Sequence, residues 1–564
     1  MVCRSMFVAA LMACGPEPAV DGDTDTEPDA DADTDADSDA DTDPSLLTLG
    51  EERICFEPGL RFGAAWDIDT YEVPMASDLW IWGGGAIAVD LNCDVHVDVV
   101  MPSEFGASVL INDGVGGFEQ DEAFFAPLDL TWGTGGSVAD YDGDGDLDLF
   151  YTRYDEPNVL LRNDSCAWVD VSVEALPDVD VTFDSSVVPQ RTVNARTGYK
   201  SMVSSWADMD HDGDLDLYVG NYGIVDETGT PTADFLPADP NLLLLNNGDG
   251  TFSNESDRLP VQVHDCYDYA GGFFDFTGDG WPDLYTVCDF GIAFPNAFIT
   301  NVNGTLAYDP LSSNGLQGLD VTGMGLGIAD LNDDDIPDIL ISEWNKMRLF
   351  QSSDDYWLQI LDSNIEPNGL FDQKVAWGTE LIDVDNDGDD DAPVAFGSVN
   401  NENPVWKNAL HQPDAIFVND GQQQFTDEAI ALDYAQDGVS RGFAVADFNG
   451  DGWLDIVKRD LLGANTAHIS RCGDAGWIDV ELADTGSENT FGIGATIQVI
   501  ADGEAQRRWM VAGGLNFASG GPPVAHFGVG TSSLVETLSV QWSDGTEQVF
   551  HDVPVRRRVT VEKP

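Results

Sequence analysis

A nine-residue acidic motif recurs seven times between Asp90 and Asp455 and limits the fold more than any other feature of the sequence. Each copy fits the pattern D-x-[DNT]-x-D-x-x-x-D, and successive copies start 50, 68, 67, 55, 53 and 64 residues apart. A near-regular repeat of this length predicts an array of similar structural units. In chain order the copies, here called loops 1 to 7, are DLNCDVHVD, DYDGDGDLD, DMDHDGDLD, DFTGDGWPD, DLNDDDIPD, DVDNDGDDD and DFNGDGWLD.

The spacing of the acidic residues within each loop predicts a calcium site. Ca²⁺ takes six to eight oxygen ligands at about 2.3–2.6 Å. Side chains at positions 1, 3, 5 and 9 and the backbone carbonyl at position 7 can supply these oxygens if the chain curls around the ion. Glycine at position 6 permits the positive φ of a sharp turn, although Val95 and Asp335 replace it in loops 1 and 5. We therefore predict up to seven Ca²⁺ sites.

The predicted ligands occupy equivalent positions in every loop. They are Asp90, Asn92, Asp94 and Asp98 in loop 1; Asp140, Asp142, Asp144, Asp146 and Asp148 in loop 2; Asp208, Asp210, Asp212, Asp214 and Asp216 in loop 3; Asp275, Thr277, Asp279 and Asp283 in loop 4; Asp330, Asn332, Asp334 and Asp338 in loop 5; Asp383, Asp385, Asp387, Asp389 and Asp391 in loop 6; and Asp447, Asn449, Asp451 and Asp455 in loop 7.

These loops are not equivalent as calcium ligands. Loops 2, 3 and 6 are fully acidic and are expected to bind best, whereas Thr277 gives loop 4 a weaker, neutral donor. Loop 1 lacks the glycine and carries Cys93 and His96, so an empty loop 1 is an open alternative.

Short apolar runs before and after each loop predict strands. Examples are GGFFDF and RGFAVADF before a loop and LDLFYTR and PDLYTVC after one. Runs of this length, rich in β-branched and aromatic residues and bounded by turns, are typical of strands. Each repeat is then a strand, an acidic loop, two strands, a turn and a further strand. Seven four-stranded units predict an all-β fold built on a seven-bladed β-propeller. An EF-hand would need flanking helices and Glu at position 12 of its loop.

The repeats resemble FG-GAP/VCBS repeats, the blades of the integrin-α type of propeller. This resemblance covers roughly residues 80–472 and implies that each calcium loop joins the first two strands of a blade. We assign residues 46–472 to the propeller. Residues 46–80 are expected either to supply an outer strand to the last blade or to pack beneath the ring.

After Cys472 the acidic loops stop, and alternating strands with Gly-rich turns follow. The pieces NTFGIGATIQV, AHFGVG and LSVQWSDG, which start at Asn489, Ala525 and Leu538, resemble the ASPIC/UnbV domain. Thr490 stands where that family usually has Arg. We therefore predict a small β domain over residues 473–564. A propeller followed by this domain also resembles the cartilage acidic protein 1 family and its bacterial relatives.

The N-terminus predicts export. Residues 1–13, MVCRSMFVAALMA, resemble a lipoprotein-type signal peptide, and LMAC resembles a lipobox that would lipidate Cys14. An ordinary signal peptide or a misassigned start is the alternative. Residues 14–45 place an acid at every odd position from Asp21 to Asp43 and predict a disordered acidic tether. No later apolar run reaches the roughly 20 residues needed to span a bilayer. We expect a bacterial cell-envelope lipoprotein or an extracellular protein, attached to the membrane only through the N-terminal lipid.

The formal net charge of −80 bears on partners. It argues against nucleic acid, because binding the phosphate backbone needs a basic footprint, and it favours cations and basic surfaces. Six cysteines remain beyond Cys14, and an even number in an exported protein permits disulfides. Cys266 and Cys288 flank loop 4 and are the favoured pair.

No catalytic constellation appears among the seven histidines, and the sequence has no HExxH motif, nucleophile elbow or phosphate loop. His526 is expected to be structural. We predict a calcium-dependent binding or adhesion protein whose unidentified ligand is an extracellular protein or a glycan. Two alternatives remain open. One is an extracellular enzyme of polysaccharide metabolism that uses the propeller channel, and the other is a structural or calcium-buffering surface protein.

Overall fold

The structure is a computed structural model, and it describes residues 43–53, 65–67, 84–126, 128–177, 180–183, 191–194, 199–223, 238–264, 266–291, 295–309, 314–319, 321–353, 356–359, 374–398, 412–470 and 473–564. The predicted signal peptide, the lipidation site Cys14 and nearly all of the predicted tether lie outside these residues, as do Cys55 and Cys472. The described residues belong to one compact unit.

Seven four-stranded antiparallel units, here called sheets 1 to 7, contain most of the described strands, and each of loops 1 to 7 joins the first two strands of one of them. Their strands are Ile87–Val89, Asp98–Ser103, Gly106–Asn112 and Phe118–Gln120 in sheet 1; Gly133–Ala139, Asp148–Glu156, Val159–Asp164 and Ala167–Asp170 in sheet 2; Tyr199–Ala207, Asp216–Asn221, Leu242–Asn246 and Phe252–Asn254 in sheet 3; Tyr267–Phe274, Asp283–Asp289, Ala297–Asn301 and Leu306–Tyr308 in sheet 4; Gly323–Ala329, Asp338–Glu343, Lys346–Ser353 and Tyr356–Gln359 in sheet 5; Ala376–Thr379, Ala392–Phe396, Ala415–Asn419 and Phe425–Asp427 in sheet 6; and Ser440–Ala446, Asp455–Asp460, Thr466–His468 and Ala65–Asp67 in sheet 7. Sheets 2 and 3 are joined in one nine-stranded sheet, because Tyr199 and Lys200 pair with the second strand of sheet 2.

The first strand of each sheet is its inner strand, and these inner strands form a ring. Each contacts the inner strand of the next sheet in chain order, and that of sheet 7 contacts that of sheet 1. Apolar clusters fill the space between neighbouring sheets, as where Ile87 and Val100 of sheet 1 pack with Leu149 and Leu161 of sheet 2. The predicted all-β fold is confirmed, and the arrangement of sheets fits a seven-bladed ring.

The N-terminal strand Ala65–Asp67 closes the last sheet. It pairs antiparallel with Thr466–His468, with Ala65 opposite His468. Two alternatives were open for residues 46–80. For Ala65–Asp67 the structure shows the first of them, an outer strand of the last blade.

Helical structure is short among the described residues. Two α-helices span Ser172–Ala175 and Val261–His264, and two 3₁₀ turns span Pro44–Leu46 and Ser256–Arg258. Two further small strand pairs join Asp180–Phe183 to Arg191–Asn194 and Gln412–Pro413 to Asp437–Gly438.

The C-terminal residues form two more four-stranded sheets around a core that includes Val480, Ile497, Phe527 and Val540. One sheet has the order Leu47–Leu49, Arg557–Glu562, Trp477–Ala483 and Ala525–Gly528, and the other has the order Glu504–Trp509, Thr496–Ala501, Leu534–Gln541 and Glu547–Pro554. Leu47–Leu49 thus extends the C-terminal sheet, with Leu47 opposite Val561.

Residues 512–521, here called the channel segment, run from the C-terminal sheets into the centre of the ring. Their backbone makes contacts with inner strands on several sides of the ring. These contacts are the pairing of Ala512–Gly513 with Ser205 and Trp206 of sheet 3, the bond from the Gly271 amide to the Gly514 carbonyl at 2.9 Å, the bond from the Asn516 amide to the Leu326 carbonyl at 2.8 Å, and the bond from the Ala88 amide to the Gly520 carbonyl at 2.9 Å.

The centre of the ring is packed around this segment. Phe517 is fully buried, and its ring centroid lies 5.3 Å from that of Tyr269 and 5.1 Å from that of Trp377. A Cβ on Gly135 would lie 2.2 Å from the Ala518 carbonyl oxygen, so the inner strand needs glycine there. The channel segment therefore runs through the part of the ring to which the channel-enzyme alternative refers.

Candidate metal centres

All seven loops share one backbone conformation, with left-handed φ at positions 4 and 6. At position 4 the φ values are 59° for Cys93, 71° for Gly143, 59° for His211, 68° for Gly278, 57° for Asp333, 57° for Asn386 and 70° for Gly450. At position 6 they are 69° for Val95, 92° for Gly145, 100° for Gly213, 85° for Gly280, 68° for Asp335, 105° for Gly388 and 83° for Gly452. The sequence predicts the left-handed φ at position 6 from the glycine there. It does not predict the left-handed φ at position 4, although five loops have Gly, Asn or Asp at that position, the residues that adopt this conformation most readily.

The side chain at position 1 closes the loop. In loop 3, Asp208 accepts hydrogen bonds from the amides of Asp212 at 3.0 Å and Gly213 at 3.1 Å. At position 5, Asp212 in turn accepts the amide of Asp214 at 3.1 Å. Equivalent bonds to the position 1 carboxylate recur in the other loops, for example from the Gly145 amide in loop 2. These bonds curl the backbone of each loop around its position 1 carboxylate.

The aspartate at position 9 ties each loop to the third strand of its sheet or, in loop 7, to Ser470 just after that strand. In loop 2, Asp148 is fully buried and accepts the amides of Tyr141 at 3.1 Å and Asn163 at 2.8 Å, and Asn163 lies on the third strand. Burial raises the pKa of Asp148 to about 9 and that of Asp216 in loop 3 to about 8, and neighbouring carboxylates add to the effect. A cation beside these groups would stabilise their charged form.

Loops 2, 3 and 6 bring three carboxylates together. In each loop, oxygens at positions 1, 3 and 9 all lie within 4.8 Å of one another. Two oxygens bound to one Ca²⁺ at about 2.4 Å can be no further apart than this. The three groups are Asp140, Asp142 and Asp148; Asp208, Asp210 and Asp216; and Asp383, Asp385 and Asp391. These are the same three loops that the sequence predicts to bind best.

Buried oxygens in these three loops have no hydrogen-bond partner. They are Asp142 Oδ1, Asp210 Oδ1 and Asp383 Oδ1. Asp383 is 1% exposed, so its free oxygen has no access to solvent that would compensate for the missing bond. An all-oxygen donor set with lone pairs left over suits a hard cation such as Ca²⁺.

Loops 1, 5 and 7 carry Asn at position 3 and arrange it differently. The amide nitrogen donates to the carboxylate at position 5, from Asn92 to Asp94 at 3.0 Å, from Asn332 to Asp334 at 3.2 Å and from Asn449 to Asp451 at 3.0 Å. In loop 4 the amide of Thr277 donates to Asp283 at 3.1 Å. Within the part of the chain that the structure describes, these four loops do not gather three carboxylates as loops 2, 3 and 6 do.

Two disulfides lie in the part of the ring that the structure describes. Cys266, directly before the first strand of sheet 4, pairs with Cys288 on the second strand, the pairing that the sequence favours. Cys93 of loop 1 pairs with Cys166, which lies in the turn before the last strand of sheet 2. The sequence does not predict this pairing. The indole of Trp168 also donates to the Leu91 carbonyl at 2.8 Å. Loop 1 is thus fastened covalently to its neighbouring sheet.

Five of the loops also connect their sheet to the next. In loops 1, 2, 3, 5 and 7 the carbonyl at position 2 accepts a hydrogen bond from a side chain of the following sheet. These bonds run from Trp168 to Leu91, from Asn246 to Tyr141 and from Asn301 to Met209 at 2.8 Å, from Gln423 to Leu331 at 2.9 Å, and from Asn112 to Phe448 at 2.7 Å. The last of these joins sheet 1 to sheet 7, so the shape of the loops bears directly on ring closure.

The face of the ring that carries loops 1 to 7, here called the loop face, contacts the C-terminal domain. The Gly530 amide donates to the Asn386 carbonyl of loop 6 at 2.9 Å, and Arg507 pairs with Asp335 of loop 5 at 2.6 Å. His526 lies with one ring nitrogen 2.7 Å from Asp479 and the other 2.7 Å from Asn386 Oδ1. Its place in this contact fits the structural role expected of it.

This fold and these loops define a class of protein, an acidic-loop β-propeller capped by a β domain. Residues 485–564 match the family model described as ASPIC and UnbV, which confirms the predicted C-terminal domain type. The chain is similar to cartilage acidic protein 1 of Xenopus tropicalis, with 26% identity over 261 residues that cover 44% of this chain. The match spans 38% of the length of that relative.

Solved structures with a similar fold include a lectin of Agrocybe aegerita that is described as recognising non-reducing terminal N-acetylglucosamine. The lectin is 15% identical, with a TM-score of 0.38, and the match covers 67% of this chain and 86% of the lectin. BBS1N in complex with ARL6DN is similar at 10% identity and a TM-score of 0.41, covering 72% of this chain and 98% of that one. Both scores are too low to support an argument about function. Among the described residues, no helix combines the length and the apolar character that crossing a membrane requires.

Proposed function

We propose that this protein is an exported, calcium-stabilised β-propeller that serves as a binding or adhesion module for an extracellular protein or glycan. The observation that carries the calcium assignment is the convergence of three carboxylates in loops 2, 3 and 6, with a buried oxygen in each loop that has no hydrogen-bond partner. Two disulfides support export, because such bonds persist in oxidising surroundings. The signal peptide and Cys14 would tether the protein to the cell envelope.

Calcium in this proposal acts on the stability of the ring. The loops join the inner strand of each sheet to the second strand and contact the next sheet, so an ion held there binds the native state alone. An ion present at one hundred times its dissociation constant stabilises the native state by about 2.7 kcal/mol per site. Three occupied sites would therefore contribute about 8 kcal/mol to the free energy of unfolding, which is comparable to the whole stability of a typical domain.

The ligand surface of this proposal lies away from the loop face and the channel. Contacts with the C-terminal domain occupy part of the loop face, and the channel segment fills the centre of the ring. The opposite face and the outer edges of the sheets remain for an extracellular partner. With a net charge of −80, the protein would associate fastest with a basic protein surface.

Calcium stoichiometry and thermal unfolding test the proposal. We expect at least three bound ions and a melting temperature that falls by roughly 10 °C in EGTA. Asp383→Asn should remove one ion and part of this stabilisation, whereas Asp170→Asn, at an exposed position, should change neither. An unchanged melting temperature in EGTA contradicts the calcium role. Ions bound without any thermal effect would indicate the calcium-buffering alternative. Glycan and protein arrays probed with and without EGTA test the ligand class.

A further inference from the structure

A cavity of about 590 Å³ lies between the loop face and the C-terminal domain. Its walls are formed by the loop-side ends of the inner strands, by the channel segment and by the C-terminal strands. This volume is within the range of pockets that enclose small organic ligands. Asp90, Asp383 and Asp447, the position 1 aspartates of loops 1, 6 and 7, also line the cavity, so it adjoins these calcium loops. The proposed function makes no use of the cavity.

One wall of the cavity is apolar. Trp509, Val511 and Leu515 line it and keep part of their surface accessible, while Met510 between them is buried in the C-terminal core. Phe491 faces the cavity as well. Apolar surface that stays in contact with water is less favourable than buried apolar surface. An apolar ligand that covered this wall would therefore be stabilised by it.

The arginines at the cavity are already neutralised by acidic partners. Arg558 lies 3.3 Å from Asp479 and 3.1 Å from Glu481. Arg508 lies 2.7 Å from Asp390. Neither guanidinium is therefore available as an anchor for an anionic ligand.

Glu380 is different, because none of the ion pairs among the described residues involves it. Its Oε2 accepts a hydrogen bond from the side-chain amide of Asn516 at 3.3 Å. The other carboxylates at the cavity either pair with Arg558 or belong to the calcium loops, as Asp383 and Asp447 do. A partly buried carboxylate beside an apolar wall favours a cation as its partner.

We propose that this cavity binds a small apolar molecule that carries a protonated amine. Its apolar part would pack against Trp509 and Leu515, and its ammonium group would lie at the Glu380 carboxylate. The volume of the cavity limits the ligand to a small molecule. The apolar wall favours an apolar body, and the unpaired carboxylate favours a protonated amine.

Two fluorescent probes with the same dansyl group test the proposal on the full chain in saturating calcium. Dansylcadaverine ends in an ammonium group, and dansyl-6-aminohexanoate ends in a carboxylate. We expect saturable, blue-shifted fluorescence for the amine and at least tenfold weaker binding for the carboxylate. Equal affinity for the two probes, or fluorescence that does not saturate, would overturn the proposal.

A matched pair of variants locates the amine. Glu380→Gln keeps an oxygen to accept the Asn516 hydrogen bond, so it should fold and should bring the two probes to within about twofold of each other. Glu119→Gln, at an exposed position on sheet 1, should leave the preference unchanged. Melting temperatures of both variants establish that they are folded. A preference for the amine that persists in folded Glu380→Gln would refute the assignment.

Discussion

Phe517→Ala tests whether the channel segment holds the ring together. Phe517 is fully buried, and it lies in edge-to-face contact with Trp377 of sheet 6 and against Tyr269 of sheet 4. Removing a buried phenylalanine side chain costs about 3–5 kcal/mol, because the transfer free energy and the packing around the cavity are both lost. We expect a loss in this range, measured by urea unfolding in saturating calcium with tryptophan fluorescence and far-ultraviolet circular dichroism.

Phe105→Ala is the control for this experiment. Phe105 is 49% exposed in the turn between two strands of sheet 1, and its substitution should change the free energy of unfolding by less than about 0.5 kcal/mol. If Phe517→Ala cost no more than this control, the packing described for the centre of the ring would be wrong. A separate early transition for the C-terminal domain in Phe517→Ala would show that the channel segment couples that domain to the ring.

Two further predictions concern pH and the loop 1 disulfide. Burial raises the pKa of Asp148 to about 9 and that of Asp216 to about 8, so the unfolded chain loses these protons at lower pH than the native protein. In EGTA the melting temperature should therefore fall as pH rises from about 4 to 9. With calcium bound, the melting temperature should change less over the same pH range. A melting temperature that rises with pH in EGTA would contradict this reasoning. Replacing both Cys93 and Cys166 by Ser opens a crosslink between residues 73 positions apart and should cost about 4 kcal/mol in urea unfolding. The number of bound calcium ions should stay the same, and the loss of one ion would show that loop 1 binds calcium.

Much of the ring could be predicted from sequence because its signals are local. The motif, the glycine at position 6 and the apolar runs on either side lie within about twenty residues of each other, and each sheet forms where they predict it. The placement of residues 46–80 has two alternatives in the sequence for the opposite reason. The partner of Ala65 is His468, some 400 positions away, and the three-residue strand Ala65–Asp67 has no periodicity to read.

The sequence predicts the ligands of the candidate metal sites, but not the contacts that connect the loops to neighbouring sheets and to the channel segment. Asp at position 3 marked the loops whose carboxylates converge, and Asn at that position marked loops in which the amide turns toward Asp94 or Asp451. The Cys93–Cys166 pairing joins two sheets and has no local signal. Glycines such as Gly135 allow the close approach of the inner strands to the channel segment, which only the packed structure shows.

The strand Ala65–Asp67 has a consequence for how these molecules behave when crowded. Sheet 7 takes its last strand from a distant part of the chain through three residue pairs, while its other three strands are consecutive in sequence. The same strand from a second molecule fits the same edge equally well. Concentrated protein is therefore expected to exchange these strands reciprocally and to form swapped dimers in which every hydrogen bond of the monomer is kept.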